Sequence, residues 1–568
     1  MKKRVFIMCM LIIIAVIVLT PTSAAPGPGT GWWSNLYIQN VNGTSTPTTI
    51  TSASIRAYNV NASGTPVATG TPRVETYMAY KPFGPTPQVP GGFSIRLLPQ
   101  EYWGSRQNGT IGPMPADDFE GSYLVNSTQP VSTIVDLTNR QIVVDSYTYG
   151  ASGGMAVGQY QLTPVSWNGD TPFLYFPVVK YNTSESYKMS TLFIQNTNVD
   201  QGTAYSLHIE YRCLPNSRNL CLPTSPCSSD TPPILPWTTI AVNPPMDLPL
   251  NTVCAARVSI LEESGYPSWA GLYTEHFLVE SSATLLQTAR ALTVHDASTT
   301  LYAPVFKKAY VEGNGTRSTG FYLMNATGAS VNVIGYFKGL GYSAGCNHAG
   351  YSTGSQVQIT SYSTVIYAFP SNVPDGCRGT AMFVADGNIV GMVSESFTNT
   401  NQRGIQSATI YAMLPSQIST TKVMFPIYKE KVLETDWYRS SELTIQNTST
   451  SNAATVYAVF RGIDGTQGIY TTNNLTIAAR SSVTLTLVSD KPSGFWQNNY
   501  AMPTSGGSFA VTVYSIGGSP SPNIVGIARE ASYYHYYYEG IEERYDYCYG
   551  QDPHSCPDRA DYEGYNVP

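Results

Sequence analysis

The residues of this chain best equipped for chemistry are its histidines and cysteines, and both are sparse. Six histidines are scattered along 568 residues. His208 and His276 sit inside alternating apolar runs, His295 and His348 in turn-like stretches, and His535 and His554 near the C-terminus. None has a nucleophile, second base or metal ligand at a diagnostic spacing, and catalysis needs such groups in mutual register. HExxH, Walker-type and dinucleotide-binding loops are absent from the sequence. Two acids can converge in any fold to form a glycosidase pair, yet acids are few here. The residues imply neither an enzyme nor a cofactor.

Cysteine usage points to an oxidising compartment. Cys9 stands apart in an apolar N-terminal run, and the other eight form an even set. Cys346 and Cys377 share one segment and Cys548 and Cys556 another, so each pair is expected to bridge. Cys213, Cys221, Cys227 and Cys254 share a third segment, where three connectivities are open. Four sulfurs could instead hold zinc, but no CxxC spacing occurs. Each bridge would stabilise the fold by roughly 2–4 kcal/mol. The acids and histidine of the C-terminus, Asp546, Asp552, His554, Asp558, Asp561 and Glu563, match no calcium-loop spacing.

Lys2, Lys3 and Arg4 precede an apolar stretch from Val5 to Leu19, followed by Ser23, Ala24 and Ala25. That order reads as a secretory signal peptide over residues 1–25, removed on export and leaving no membrane span. Only 12% of residues are charged while Tyr alone numbers 41. The charged share is about half that of an ordinary soluble domain. A net charge of −6 gives no electrostatic footprint for nucleic acid. From Tyr533 onward, eight acids and two arginines stand among ten tyrosines, so this end carries the whole formal charge of the chain.

What must position any functional group is a set of repeats. A β-branched or aromatic run ending in Asn returns four times, as LYIQN (36–40), LFIQN (192–196), FYLMN (321–325) and LTIQN (443–447). A Gly-started hairpin follows each phrase, as GSYLVNSTQPVSTIVD (121–136), GLYTEHFLVESSATLLQTARAL (271–292), GTAMFVADGNIVGMVSES (379–396) and GSFAVTVYSIGGSPSPNIVGIARE (507–530). An apolar-Pro opener precedes three of them, as FPVVKY from Phe176, APVFKK from Ala303 and FPIYKE from Phe425. Proline at a strand start reads as an edge strand. A period of two buries Leu36, Ile38, Leu192, Ile194, Phe321, Leu323, Leu443 and Ile445, and turns Tyr37, Phe193, Tyr322 and Thr444 outward.

The fold expected is all-β: four tandem Ig-like antiparallel β-sandwich domains with a Tyr-rich acidic C-terminal tail. Its divisions are 32–140, a Gly-rich linker 141–171, then 172–298, 299–420, 421–531 and the tail 532–568, with each sandwich folding alone. Nine N-x-S/T sequons occur; Asn325 and Asn447 close two of the phrases and read as turn formers. Candidate contact residues are Tyr536, Tyr537, Tyr538, Tyr545 and Tyr547 in the tail, where large amphipathic rings concentrate. Trp32, Trp33 and Trp103 in the first domain are candidates for stacking on sugars.

The order of opener, S-x-L-x-I-Q-N, alternating strand and closing hairpin resembles the tandem β-sandwich repeats of secreted prokaryotic cell-surface proteins. The third copy departs from it with Met324 in place of Gln, which reads the Gln as a local hydrogen bonder. The resemblance brings no functional residues. It implies a secreted structural or adhesive protein of the cell surface, extracellular matrix or a filament, working through contacts with itself or other surface proteins. An extracellular carbohydrate-binding protein, with glycans as partners, is the alternative.

Overall fold

The computed structural model describes residues 32–42, 50–59, 75–76, 88–97, 121–139, 156–161, 172–183 and 188–197. It then describes 204–545 apart from loops, of which 486–505 is the longest, and 559–566 apart from 564. The expected signal peptide, Trp103, Tyr547, Cys548 and Cys556 lie outside the described residues. Among the described residues the chain is all-β with every pairing antiparallel. The only helical turns are two 3-10 turns, Val294–Asp296 and Ser416–Ile418, and no helix is long and apolar enough to cross a membrane.

The four phrases end the strands Trp32–Asn40, Lys188–Asn196, Gly315–Asn325 and Trp437–Asn447, and their neighbours recur in one register. A short strand pairs with each phrase on one side, so Ile38, Ile194, Leu323 and Ile445 face Ile95, Ile240, Val365 and Val483. A closing strand on the other side sets Thr133, Gly271, Gly391 and Gly526 opposite the same four residues. This register corrects the hairpin alignment of the second copy. Gly271 belongs with Gly391 and Gly526, and the strand matching those begun by Gly121, Gly379 and Gly507 is Val253–Ile260. Val253–Ile260 has no Gly at its start, whereas Trp269–Val279 carries Gly271, so a search led by Gly selects the later strand. At Gly526 an added Cβ would lie 2.8 Å from Ile445 Cδ1 and 2.9 Å from Phe425 Cζ. In the first copy no strand matching an opener is found among the described residues, and Thr133 stands at the equivalent place.

The phrase-ending Asn is fully buried in all four copies. Asn447 donates from Nδ2 to the Ile477 and Asn452 carbonyls (3.0 and 2.8 Å), while its Oδ1 accepts from the Ser449 amide (2.9 Å). Asn325 repeats the pattern with Ile359, Ala329 and Thr327, Asn40 with Val89 and Asn42, and Asn196 donates to Ile234. The turn reading is therefore half of the role, since the amide also ties the strand end to the opposite sheet. Engaged and buried in this way, Asn325 and Asn447 are closed to glycans in the folded chain.

Openers Leu174–Thr183, Ser298–Lys308 and Lys422–Glu430 are not edge strands. Each lies between two partners: Leu174–Thr183 between Val253–Ile260 and Leu292–Thr293, Ser298–Lys308 between Cys377–Asn399 and Leu414–Pro415, and Lys422–Glu430 between Gly507–Ile516 and Tyr565–Asn566. Proline is tolerated there because it sits in a β-bulge. Register shifts set Pro177 and Val178 against Ala255 alone, Pro304 and Val305 against Thr380, and Pro426 and Ile427 against Ala510.

Both faces of each opener are buried, which explains their unbroken apolar runs. One face meets its own copy's core and the other meets a neighbouring copy. Tyr322, Met324, Val390, Met392, Ile410 and Ala412 of the third copy join the core of the second. Val525 and Ile527 of the fourth join the third, and Tyr37 and Ile134 of the first join the fourth. The outward reading of Tyr37, Tyr322 and Thr444 is thus overturned: they are 0%, 8% and 5% exposed. Phe193 is half-buried.

A return strand follows each closing strand in a shared register, with Ile134, Leu272, Met392 and Ile527 opposite Gln161, Arg290, Ala412 and Glu563. Two expected boundaries move as a result. Residues 156–161 of the linker are the first copy's return strand. Within the tail, Arg559–Glu563 pairs with Ile524–Tyr538 and Tyr565–Asn566 with the opener, as Ser407–Ala412 and Leu414–Pro415 do one copy earlier. Ala156–Gln161 lies against Ala283–Arg290, that strand against Ser407–Ala412, that against Arg559–Glu563, and the last against Ala156–Gln161, so the four form a closed circuit. Disulfides join Cys213 to Cys254, Cys221 to Cys227 and Cys346 to Cys377, which leaves none of these sulfurs for zinc.

We predict that Asn447→Ala lowers stability in urea unfolding by about 1–3 kcal/mol, because buried carbonyls and the Ser449 amide lose their partner. A loss below roughly 0.5 kcal/mol, the scale of an ordinary surface change, would refute the tying role.

Candidate functional site: buried charge clusters between copies

The chain has few charges and buries a notable share of them together. Three residues after each opener proline stands a lysine, Lys180, Lys307 or Lys429, and four residues after each closing-strand glycine stands Glu275, Glu395 or Glu530. The bulge turns the lysine toward the acid. All six side chains are buried, and charges so placed are tolerated only when paired.

In the second copy Lys180 Nζ lies 3.1 Å from Glu275 Oε1, and Tyr273 donates its hydroxyl to Oε2 at 2.5 Å. Burial works against a charged Lys180, but the Glu275 carboxylate, with Tyr322 from the third copy, outweighs it and holds the ammonium above the ordinary lysine range. Burial, reinforced by Glu275, pushes the Tyr273 hydroxyl well above its usual value. In the third copy Lys307, Arg317 and Arg529 surround Glu395 at 3.7, 3.6 and 3.1 Å from Oε1. Arg529 comes from the fourth copy.

At the junction of the fourth and first copies, Arg439 donates from Nη1 to Asp136 Oδ2 (3.0 Å) and from Nη2 to Oδ1 (2.9 Å), and pairs with Glu530. Lys429 Nζ reaches Asp136 Oδ2 at 2.9 Å and Glu530 Oε2 at 3.3 Å. Asp136 and Arg529 hold equivalent positions, three residues after Thr133 and Gly526, on the face that enters the neighbouring copy. Polar contacts follow the same rule. The phrase glutamines donate across the boundary, Gln446 to the Ala381 carbonyl at 3.4 Å and Gln39 to Val511 at 3.3 Å, and Gln39 also donates within its own copy to the Gly92 carbonyl at 3.2 Å, so the Gln bonds between copies as well as locally. The carbonyls of Pro177 and Pro304 accept from Thr364 and Ser482 of the next copy (2.8 and 3.1 Å).

Between the second and third copies, Arg290 forks onto Asp296 at 2.7 and 2.6 Å, and the Thr293 amide adds 2.8 Å. Burial opposes ionisation of Asp296, but Arg290 and Thr293 outweigh it and hold the carboxyl below the usual range. Its stabilisation is therefore present above the unfolded-state value and lost as pH falls through the lower folded value.

The sequence-predicted contact residues fall elsewhere. Tyr536, Tyr537 and Tyr538 pair with Glu543, Glu542 and Ile541 in a hairpin, and Tyr545 pairs with Tyr534. Trp32 and Trp33 lie on the first phrase strand opposite Asn139 and Thr138. The structure thus brings the tyrosines together and keeps them apart from the tryptophans in sequence and sheet. The clusters were missed, although a lysine inside each quoted apolar opener was a usable signal in a chain so poor in charge.

No known protein family matches the chain, and no curated protein matches it. Solved structures that align include Escherichia coli alpha-2-macroglobulin activated by porcine elastase, at 9% identity over 95% of this chain and 43% of that one, with a TM-score of 0.08. The native conformation of the same protein aligns at 8% identity over 96% and 39%, with a TM-score of 0.09. The chain spans less than half the length of these structures, and scores this low mark no shared fold.

Arg439→Ala would leave Asp136 and Glu530 facing one lysine, and we predict a loss of about 3–5 kcal/mol in denaturant unfolding. A loss under about 1 kcal/mol, the scale of an exposed pair, would refute the buried cluster. For Asp296→Asn, the fall in melting temperature of the wild type below about pH 4 should become shallower; parallel acid limbs for the two proteins would argue against the linkage.

Proposed function

We propose that the chain is an exported, disulfide-stapled structural protein of the cell surface, extracellular matrix or a filament, built from four Ig-like sandwiches and acting through protein–protein contacts. It is not an enzyme on this reading, and its charged groups are consumed in holding copies together. The disulfides and the absence of a membrane-crossing helix among the described residues are compatible with an extracellular setting.

The observation that carries the reading is the stretch between closing and return strands, which is longest in the fourth copy. Between the closing and return strands the second copy spends a short turn after Val279 before Ala283. In the fourth copy the closing strand runs on to Tyr538, folds back as Ile541–Tyr545, and resumes only at Arg559. The inserted stretch is the Tyr-rich acidic segment. An added hairpin of this composition outside the shared sheet register has no part in completing the sandwich, and aromatic residues with polar tips are the favoured material of contact surfaces.

Residues 535–557 replaced by a short Gly-Ser turn, which removes Cys548 and Cys556 together, should leave the melting temperature near that of the wild type while reducing self-association or binding to cell-surface material. Negative-stain electron microscopy and sedimentation would read the result. Undiminished assembly of the shortened chain would remove the hairpin from the mechanism.

A further inference from the structure

Three clusters place a lysine against a closing-strand acid, and they differ in what surrounds it. Lys180 meets one carboxylate, Glu275, at 3.1 Å, with no second acid beside it among the described residues to accept a proton. Around Glu395 three cations converge, and the lysine nitrogen stands off at 3.7 Å. Lys429 lies between two acids, 2.9 Å from Asp136 Oδ2 and 3.3 Å from Glu530 Oε2, and none of the three side chains is more than 2% exposed. Asp136 and Lys429 are 293 residues apart and belong to the first and fourth copies.

An ammonium and a carboxylate differ from an amide by one molecule of water. Held in contact in a dry interior, they have a high effective concentration, and the water that would reverse the condensation is excluded. The geometry points to Lys429 and Asp136 as the two ends of an intramolecular isopeptide bond that the folded chain forms itself, with Glu530 as its proton carrier. Glu530 takes one proton from the Lys429 ammonium. The freed amine attacks Asp136 Cγ, and the Nζ–Cγ bond forms. Arg439, already donating to both carboxyl oxygens, neutralises the charge that builds on them. The Cγ–Oδ2 bond then breaks, and that oxygen leaves as water with one proton from Glu530 and one from the nitrogen. A neutral amide remains, and Glu530 is again a carboxylate. Two cations and two anions thereby become one pair, Arg439 with Glu530, so no buried charge is stranded. The bond joins the first copy to the last, and no oxidant or cofactor enters the balance.

The test is the intact mass of the purified full chain after reduction of its disulfides, with its N-terminus determined, followed by tryptic mapping. The expected result is a deficit of one water molecule and a branched peptide joining the Lys429 and Asp136 segments. Lys429→Arg, which keeps the charge, and Asp136→Ala should each restore the full mass, and Glu530→Gln should leave a large fraction of the chain unlinked. A wild-type chain of full mass with separate peptides overturns the proposal whatever the variants do. A deficit that maps to Lys180 and Glu275 overturns the assignment, and complete linkage in Glu530→Gln removes Glu530 from the chemistry.

Discussion

The phrase sheets of the first, third and fourth copies are buried on both faces, and each copy can cover only one of its own. Everything else follows from that constraint, because the second face must be buried by another copy. Met324 and Met392 complete the second core, Ile527 the third, and Tyr37 and Ile134 the fourth. A linear array built this way would leave uncovered faces at its two ends and would need polar caps. Here the return strands run in a circuit, Ala156–Gln161 touching both Ala283–Arg290 and Arg559–Glu563. Stability then belongs to the circuit more than to a copy, and the chain order need not contain a capping unit.

Charge gives these boundaries their identity. Burying an ion pair gains little over packing apolar groups of similar size, but mispairing one is costly. Asp136 suits the fourth copy because Lys429 and Arg439 wait there, whereas the equivalent Lys307 and Arg317 of the third copy gather with Arg529 around Glu395. The residue at the equivalent position of the third copy is Ser394, which bonds Gln287 at 3.3 Å beside the already balanced Lys180 and Glu275. Arg529 enters the third copy's cluster and faces Asp561 across its own sheet. Boundaries that share one backbone register therefore differ in the side chain the neighbour inserts, Ser394, Arg529 or Asp136.

Much of the strand pattern was legible, and the reason is local. Alternation in LYIQN and LTIQN identifies the core-facing Leu and Ile directly, and the Asn that ends each phrase announces a turn. What alternation cannot say is whether the opposite face meets water. Tyr37 and Tyr322 are amphipathic and Thr444 is small, so each fits either environment, and the neighbouring copy that buries them lies far away in sequence. The openers were misread for a related reason. Proline suggests an edge when strands are taken as regular, whereas a bulge removes the need for its missing donor in the middle of a sheet. The clusters left a trace in sequence, a lysine fixed three residues beyond each opener proline, but its acid partner sits on a strand about 90 to 100 residues later and has no pattern of its own. The disulfide set shows the same limit. Cys346 and Cys377 could be matched by elimination, while the pairing of Cys213 with Cys254 depended on two strands lying side by side in register.

The joint between the first and fourth copies is also where chain order and spatial order part company. Asp136 meets Arg439 across 303 residues, whereas Arg290 forks onto Asp296 only six residues away, in the segment that leads from the second copy to the third. Contacts of such long range form late, because loop closure costs entropy before the contact repays it. The fourth copy is moreover unfinished until Arg559–Glu563 and Tyr565–Asn566 have paired with its closing strand and opener. The circuit thus closes only when nearly the whole chain is present, and the first copy, whose outward face carries Tyr37 and Ile134, must keep that apolar surface in reserve until the last strands arrive. A buried aspartate on that face suits the delay. Before closure it keeps the exposed patch polar, and after closure the fork of Arg439 compensates for its burial.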